Sequence, residues 1–134
     1  AVYAVRPDVH AIVHAHPVHA TAVAIARHMI PAIHYMIAAF GGPTIPLAGY
    51  ALFGSDALAE EVATAIADRD GCLMANHGAL ALGDTLDRAA WRMGELETLA
   101  HQYILTDFGA RAHILSDAEV QDALTAFAGY GLKD

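Results

Sequence analysis

Three histidines fall within six positions in the stretch VHAHPVHA, residues 13–20: His14, His16 and His19. On a strand, residues i and i+2 point to the same face, so His14 and His16 would present two imidazoles side by side, as a chelate requires. Ala15 would face the other way, and Pro17 fixes a turn immediately after. His19 lies past that turn and could line the same pocket without binding anything. A further histidine, His77, stands in CLMANHGALALG between two apolar runs, flanked by Asn76 and Gly78. Gly78 is expected to permit a positive-φ turn that leaves the imidazole projecting from the sheet edge. Three neutral imidazoles around a divalent ion, with one position open, is the layout of a catalytic zinc site. The competing reading is bland. His-x-His pairs arise by chance in a chain with nine histidines, and a histidine in a strand turn is more often structural.

Carboxylates are scarce near these residues. Before Asp56 the only one is Asp8, and no glutamate precedes Glu60. A metal site that makes or breaks C–H or C–C bonds wants a base beside the ion. That base must come from later helices or from residues outside these 134.

The elements that must position the histidines can be read from pattern. VHAIVHAH (9–16) follows the turn pair Pro7-Asp8 and reads as a buried strand. After Pro17, residues 19–29 read as a short helix. Residues 30–54, apolar and rich in Gly and Pro, read as short strands and turns. Ser55 is a plausible N-cap for a helix over 56–69, with Leu58, Val62 and Ile66 as its apolar face. CLMAN (72–76) and ALAL (79–82) read as strands. Thr85 or Asp84 opens a long helix to about Leu105, with Leu86, Ala89, Ala90, Met93, Glu97, Ala100 and Ile104 along one stripe. Glu97 is the odd member of that stripe; Arg88, Arg92 or His101 could pair with it. Ser116 and Glu119 form a capping box for a helix over 116–127, which Gly129 stops. Strands alternating with helices indicate one α/β layered domain over residues 1–134, with no linker.

The totals exclude some functions. A net charge of −8 with seven Lys plus Arg argues against nucleic acid, because neutralising phosphates needs clustered bases. Residues 28–55 lack charges, but Pro31, Gly41, Gly42, Pro43, Pro46 and Gly49 break the stretch, so no membrane span is expected. The apolar fraction of 56% is high for a chain this short and points to oligomerisation or to cover by further sequence. Cys72 is the single cysteine; it excludes an intrachain disulfide, fits a reducing, cytoplasmic compartment and reads as an inert buried thiol.

RPDVHAIVHAHPVHATAVAI, IPAIHYMIAAFGG, IPLAGYALFG and NHGALALG together resemble the class II aldolase/adducin family, over essentially the whole chain. IPAIHYMIAAFGG points to its aldolases. The resemblance implies a three-layer α/β/α sandwich around a mostly antiparallel sheet, assembled as a homotetramer with active sites at subunit contacts. It implies that His14, His16 and His77 bind zinc or another divalent metal, and that Tyr35 reaches a neighbouring subunit's site to protonate the aldehyde oxygen. Phe53 and Tyr130 match aromatic residues near the aldehyde-binding region. The implied activity is cleavage of a ketose 1-phosphate, such as L-fuculose 1-phosphate, to dihydroxyacetone phosphate and L-lactaldehyde, with the metal stabilising the enediolate. In the family the catalytic glutamate and the phosphate-cradling loops precede the segment that starts at Ala1, so an N-terminally truncated domain, inert alone, is expected. A pentulose-phosphate 4-epimerase, a ketose-phosphate dehydratase and a non-catalytic adducin-like module are the alternatives within the same resemblance.

Overall fold

A computed structural model describes residues 1–128 of the chain. The element order is α1 (Val2–Val5), β1 (Ala11–Ala15), α2 (Val18–Ile25), a 3-10 helix (Tyr35–Phe40), β2 (Leu47–Ala48), α3 (Asp56–Ala65), β3 (Gly71–Met74), β4 (Gly78–Gly83), α4 (Leu86–Leu105) and α5 (Asp117–Phe127). The strands form one sheet in the order β1-β4-β3-β2. β1 and β3 both run antiparallel to β4, and only β2 pairs parallel, with β3.

Period-two alternation splits the apolar residues into two layers. Val13, Ala15, Leu47, Leu73, Ala79 and Ala81 pack on one face, against α2, the 3-10 helix, α4 and α5. Ile12, Ala48, Cys72, Met74, Leu80 and Leu82 pack on the other, where α3 supplies Val62 and Ile66. The expected sandwich, with a mostly antiparallel sheet in the middle, is the architecture found.

Several boundaries differ from the sequence reading. β1 is shorter than 9–16, because Val9 and His10 precede the ladder; His10 N–H still donates to Gly83 O at 2.9 Å. α2 stops at Ile25 rather than 29: the chain turns out of the helix at Ala26, and Arg27 takes φ +57°. The strands and turns expected over 30–54 include an unexpected 3-10 helix. The His34 ring accepts from Met36 N–H at 3.1 Å to start it, Gly41 ends it at φ +85°, and its apolar side chains Met36, Ile37 and Phe40 are buried. α3 ends at Ala65, not 69, and Ile66 is still buried just past it.

On α4 the buried stripe is Ala89, Met93, Leu96, Leu99, Ala100 and Tyr103. Leu86 and Ala90, expected on that stripe, face solvent instead. Thr85 is the cap, its hydroxyl accepting from Arg88 N–H at 3.2 Å. Ser116 and Glu119 close the expected capping box reciprocally, at 3.2 and 2.8 Å. Gly129, read as the stop of α5, lies outside the described residues.

One polar staple ties the layers together. Asp70, in the turn before β3, takes Arg6 on Oδ1 at 2.7 Å and Arg92 on Oδ2 at 2.8 Å. The guanidinium groups also donate to the carbonyls of Ile66 and Arg69 (Arg6) and of Ala39 and Leu82 (Arg92). Cys72 is buried as read. No helix among the described residues is long and apolar enough to cross a membrane.

Candidate metal centre and its cavity

The ladder register builds the site. His14 pairs with Leu80 and Ala15 with Ala79, so the end of β1 lies against the start of β4. His16 is the next residue after β1, on the same side as His14. His77 ends the turn between β3 and β4, one residue before Gly78. The three rings form a near-equilateral triangle with centroids 4.9, 5.0 and 5.0 Å apart. Each can offer a nitrogen within 4.8 Å of the other two.

The turn works differently from the sequence reading. The positive φ belongs to Asn76, at +53°, a conformation that Asn tolerates better than most side chains. Gly78 is needed for space instead: a Cβ there would meet Ala15 O and His16 Cδ2, both at 2.6 Å. Glycine thus lets the His16 ring lie directly on β4.

The donor set fits a divalent cation. His14 Nδ1 is 2.9 Å from Ala79 O, so Nδ1–H donates to that carbonyl and the lone pair is left on Nε2. His14 Nε2 and His16 Nε2 are 3.2 Å apart. Ligand nitrogens at about 2.0–2.1 Å from a tetrahedral zinc are about 3.3–3.4 Å from one another, which matches that pair. Burial, together with the neighbouring His14 and His16, pushes the His77 pKa below its ordinary value, which favours the neutral, ligating imidazole.

The triad opens onto a cavity of about 420 Å³ that Tyr50, Phe53 and Asn76 also line. Phe53 is 76% exposed in the single chain, so its ring is free to meet a ligand. Tyr35 is elsewhere: it stacks on His34 at 4.6 Å and lines a separate hollow with Ala123, Ala126 and Phe127. Within one chain it is not brought to the histidines. Tyr130 lies outside the described residues.

His19 does not line the cavity. Its ring Nδ1 is 2.7 Å from Glu97 Oε1, and its ring stacks on His101. The pairing expected of Glu97 is corrected accordingly: among the partners described it holds His19, with His101 only stacked behind. Asn76 and Gly78 are the site residues whose roles pattern reading missed or misassigned. NHG marks the turn that carries His77, but which residue bends the chain and which makes room is decided by the strand opposite.

Comparison with known proteins agrees with this geometry. Residues 1–104 match the class II aldolase and adducin N-terminal domain family. The chain is 46% identical to L-fuculose phosphate aldolase of Escherichia coli (strain K12) over 134 residues, covering 99% of the chain and 62% of that protein. It is also 46% identical to a 5-methylthioribulose-1-phosphate/5-deoxyribulose-1-phosphate aldolase of Escherichia coli O45:K1 (strain S88), covering 63% of it. A solved L-fuculose 1-phosphate aldolase superposes with a TM-score of 0.90 at 37% identity, over 94% of this chain and 59% of that one. The chain therefore spans about three-fifths of the length of the relatives it matches.

Proposed function

Because the chain belongs to the class II aldolase and adducin family, we propose that it forms part of a metal-dependent lyase. The reaction is cleavage of a ketose 1-phosphate to dihydroxyacetone phosphate and an aldehyde. The observation that carries this reading is the convergence of His14, His16 and His77 at the mouth of an open cavity. A divalent ion held there, zinc by preference, supplies Lewis-acid charge worth several kcal/mol to a substrate that develops negative oxygen. Three uncharged ligands leave that charge undiminished.

The chain's own residues then bind and orient. Ala79 O fixes the His14 tautomer, and Gly78 admits the His16 ring. Phe53 offers apolar surface at the cavity, which suits an aldehyde ending in a methyl or methylthio group. The name of one relative carries that feature, a methylthio or deoxy terminus on a ribulose 1-phosphate. Which sugar is physiological is left to the assay. Tyr35 is half exposed and lines a hollow apart from its own triad; in this reading it donates a proton into the site of a second copy. By resemblance to the family, Tyr130 is a further candidate to contact the aldehyde. The assembly that brings Tyr35 across is a homo-oligomer, a tetramer by family analogy. Three convergent imidazoles at the mouth of an open cavity favour a catalytic site over the non-catalytic adducin-like alternative.

The test is product analysis with the purified full-length protein. Metal-loaded protein should release dihydroxyacetone phosphate from L-fuculose 1-phosphate or from 5-deoxyribulose 1-phosphate, and a chelator should abolish the release. Failure with every ketose 1-phosphate offered, in protein that demonstrably holds metal, refutes the reading.

A further inference from the structure

Glu97 is a carboxylate on a helix face that otherwise meets the core, next to buried Leu96 and one turn before buried Ala100. Both of its oxygens are engaged. Oε1 accepts the backbone N–H of His19 at 3.0 Å and faces ring Nδ1 of the same residue at 2.7 Å. Oε2 accepts the backbone N–H of Ala20 at 2.8 Å. His101, one turn further along α4, stacks on the His19 ring with centroids 3.9 Å apart and planes 15° off parallel.

His19 and Ala20 are the second and third residues of α2. Their N–H groups are those an N-cap side chain ordinarily satisfies. Here the N-cap is Pro17, which has no side-chain acceptor. A carboxylate from another helix takes over that role. Burial works against an ionised carboxylate, but the His19 and Ala20 N–H groups and the His19 ring outweigh it and hold Glu97 below its ordinary pKa.

The position of this clamp relative to the histidine triad is what matters. The last ladder pair of β1 is Ala15 with Ala79, so His16 lies beyond the strand's own hydrogen bonds. Only Pro17 and Val18 separate His16 from the first clamped N–H, and Pro17 is fixed in extended geometry at φ −65° and ψ 145°. The backbone of His16 is therefore pinned on one side by β4 and on the other by α4. We propose that Glu97 is a positioning residue for the metal centre: by capping α2 from α4, it sets where the His16 ring stands relative to His14 and His77. This inference rests on the reading that the triad holds a metal ion.

Cobalt(II) titration of the full-length protein, followed by its visible absorption and by chelator competition, tests it. Ser116→Ala, which removes the N-cap of α5, a helix that packs on the 3-10 helix and carries none of the triad, serves as a comparator for mere destabilisation. Glu97→Ala is expected to weaken cobalt binding tenfold or more, in the range typical of supporting residues around metal ligands (about 10–100-fold). Ser116→Ala should bind as the wild type does. Glu97→Gln keeps an acceptor oxygen and should fall between. Wild-type affinity in Glu97→Ala, or an equal loss in Ser116→Ala, overturns the proposal. Should Glu97→Ala not fold, Glu97→Gln decides alone, and unchanged affinity there overturns it. A wild type that takes up no cobalt sinks the triad reading first, and the clamp with it.

Discussion

Gly78→Ala is the sharpest perturbation the structure offers. The added methyl would lie 2.6 Å from Ala15 O and 2.6 Å from His16 Cδ2, with His16 Cα at 3.4 Å. Comfortable contact between such atoms begins near 3.5 Å, so about 0.9 Å must be found on each side. Ala15 is held in register opposite Ala79, and moving its carbonyl would disturb that pairing. The imidazole is the softer neighbour. It swings away, and the 3.2 Å separation between His14 Nε2 and His16 Nε2 opens by several tenths of an ångström. Overpacking of this kind costs about 1–3 kcal/mol of stability. Pushing the His16 ring off its place is expected to lower metal affinity by at least as much as losing a supporting contact around a ligand, about 10–100-fold. Thermal unfolding reads the first quantity and cobalt competition with a chelator reads the second. Gly78 is not among the positive-φ glycines, so no conformational strain confuses the result. A Gly78→Ala protein that folds and binds metal like the wild type refutes the claim that His16 is a ligand in this geometry.

Other outcomes follow from the same contacts. Asp70→Asn removes the charge that faces Arg6 and Arg92, both mostly buried, and should cost roughly 2–3 kcal/mol in chemical denaturation. That is less than the 3–5 kcal/mol of a fully buried pair, because the Asp70 side chain keeps 22% exposure; a change within error would show that the carbonyl contacts, together with Asp8 on Arg6, are enough to hold the two arginines. Burial pushes the Cys72 thiol up to about 12. The thiolate is the reactive form, so the native protein should resist iodoacetamide at mildly alkaline pH and react once denaturant is added. Rapid labelling of the folded protein would contradict the buried position of β3.

The halves of the fold that depend on local chemistry were readable from sequence. Ser55, Thr85 and Ser116 each cap the helix they precede, and the alternation HAH put two rings on one face. The residues that long-range packing decides were not. Nothing local says that Asn76 rather than Gly78 takes the left-handed conformation, because Gly78 is constrained by His16 across the ladder. The 3-10 helix over Tyr35–Phe40 hides in an apolar run whose period is ambiguous, and only the His34 ring and Gly41 mark its ends. Glu97 reads as the odd member of an apolar stripe with only nearby basic residues as candidate partners, since its main-chain donors lie 77 and 78 positions away. Tyr35 illustrates the opposite limit: a single chain places it, but its proposed target belongs to another copy.

Metal stoichiometry is the most direct measurement of the central claim. The full-length protein, stripped and reloaded, should retain one divalent ion per chain, and His14→Ala, His16→Ala and His77→Ala should each lose it while keeping a folded far-ultraviolet spectrum. Retention of the ion in His77→Ala, at the wild-type affinity, would show that the strand pair and the turn do not grip a common cation.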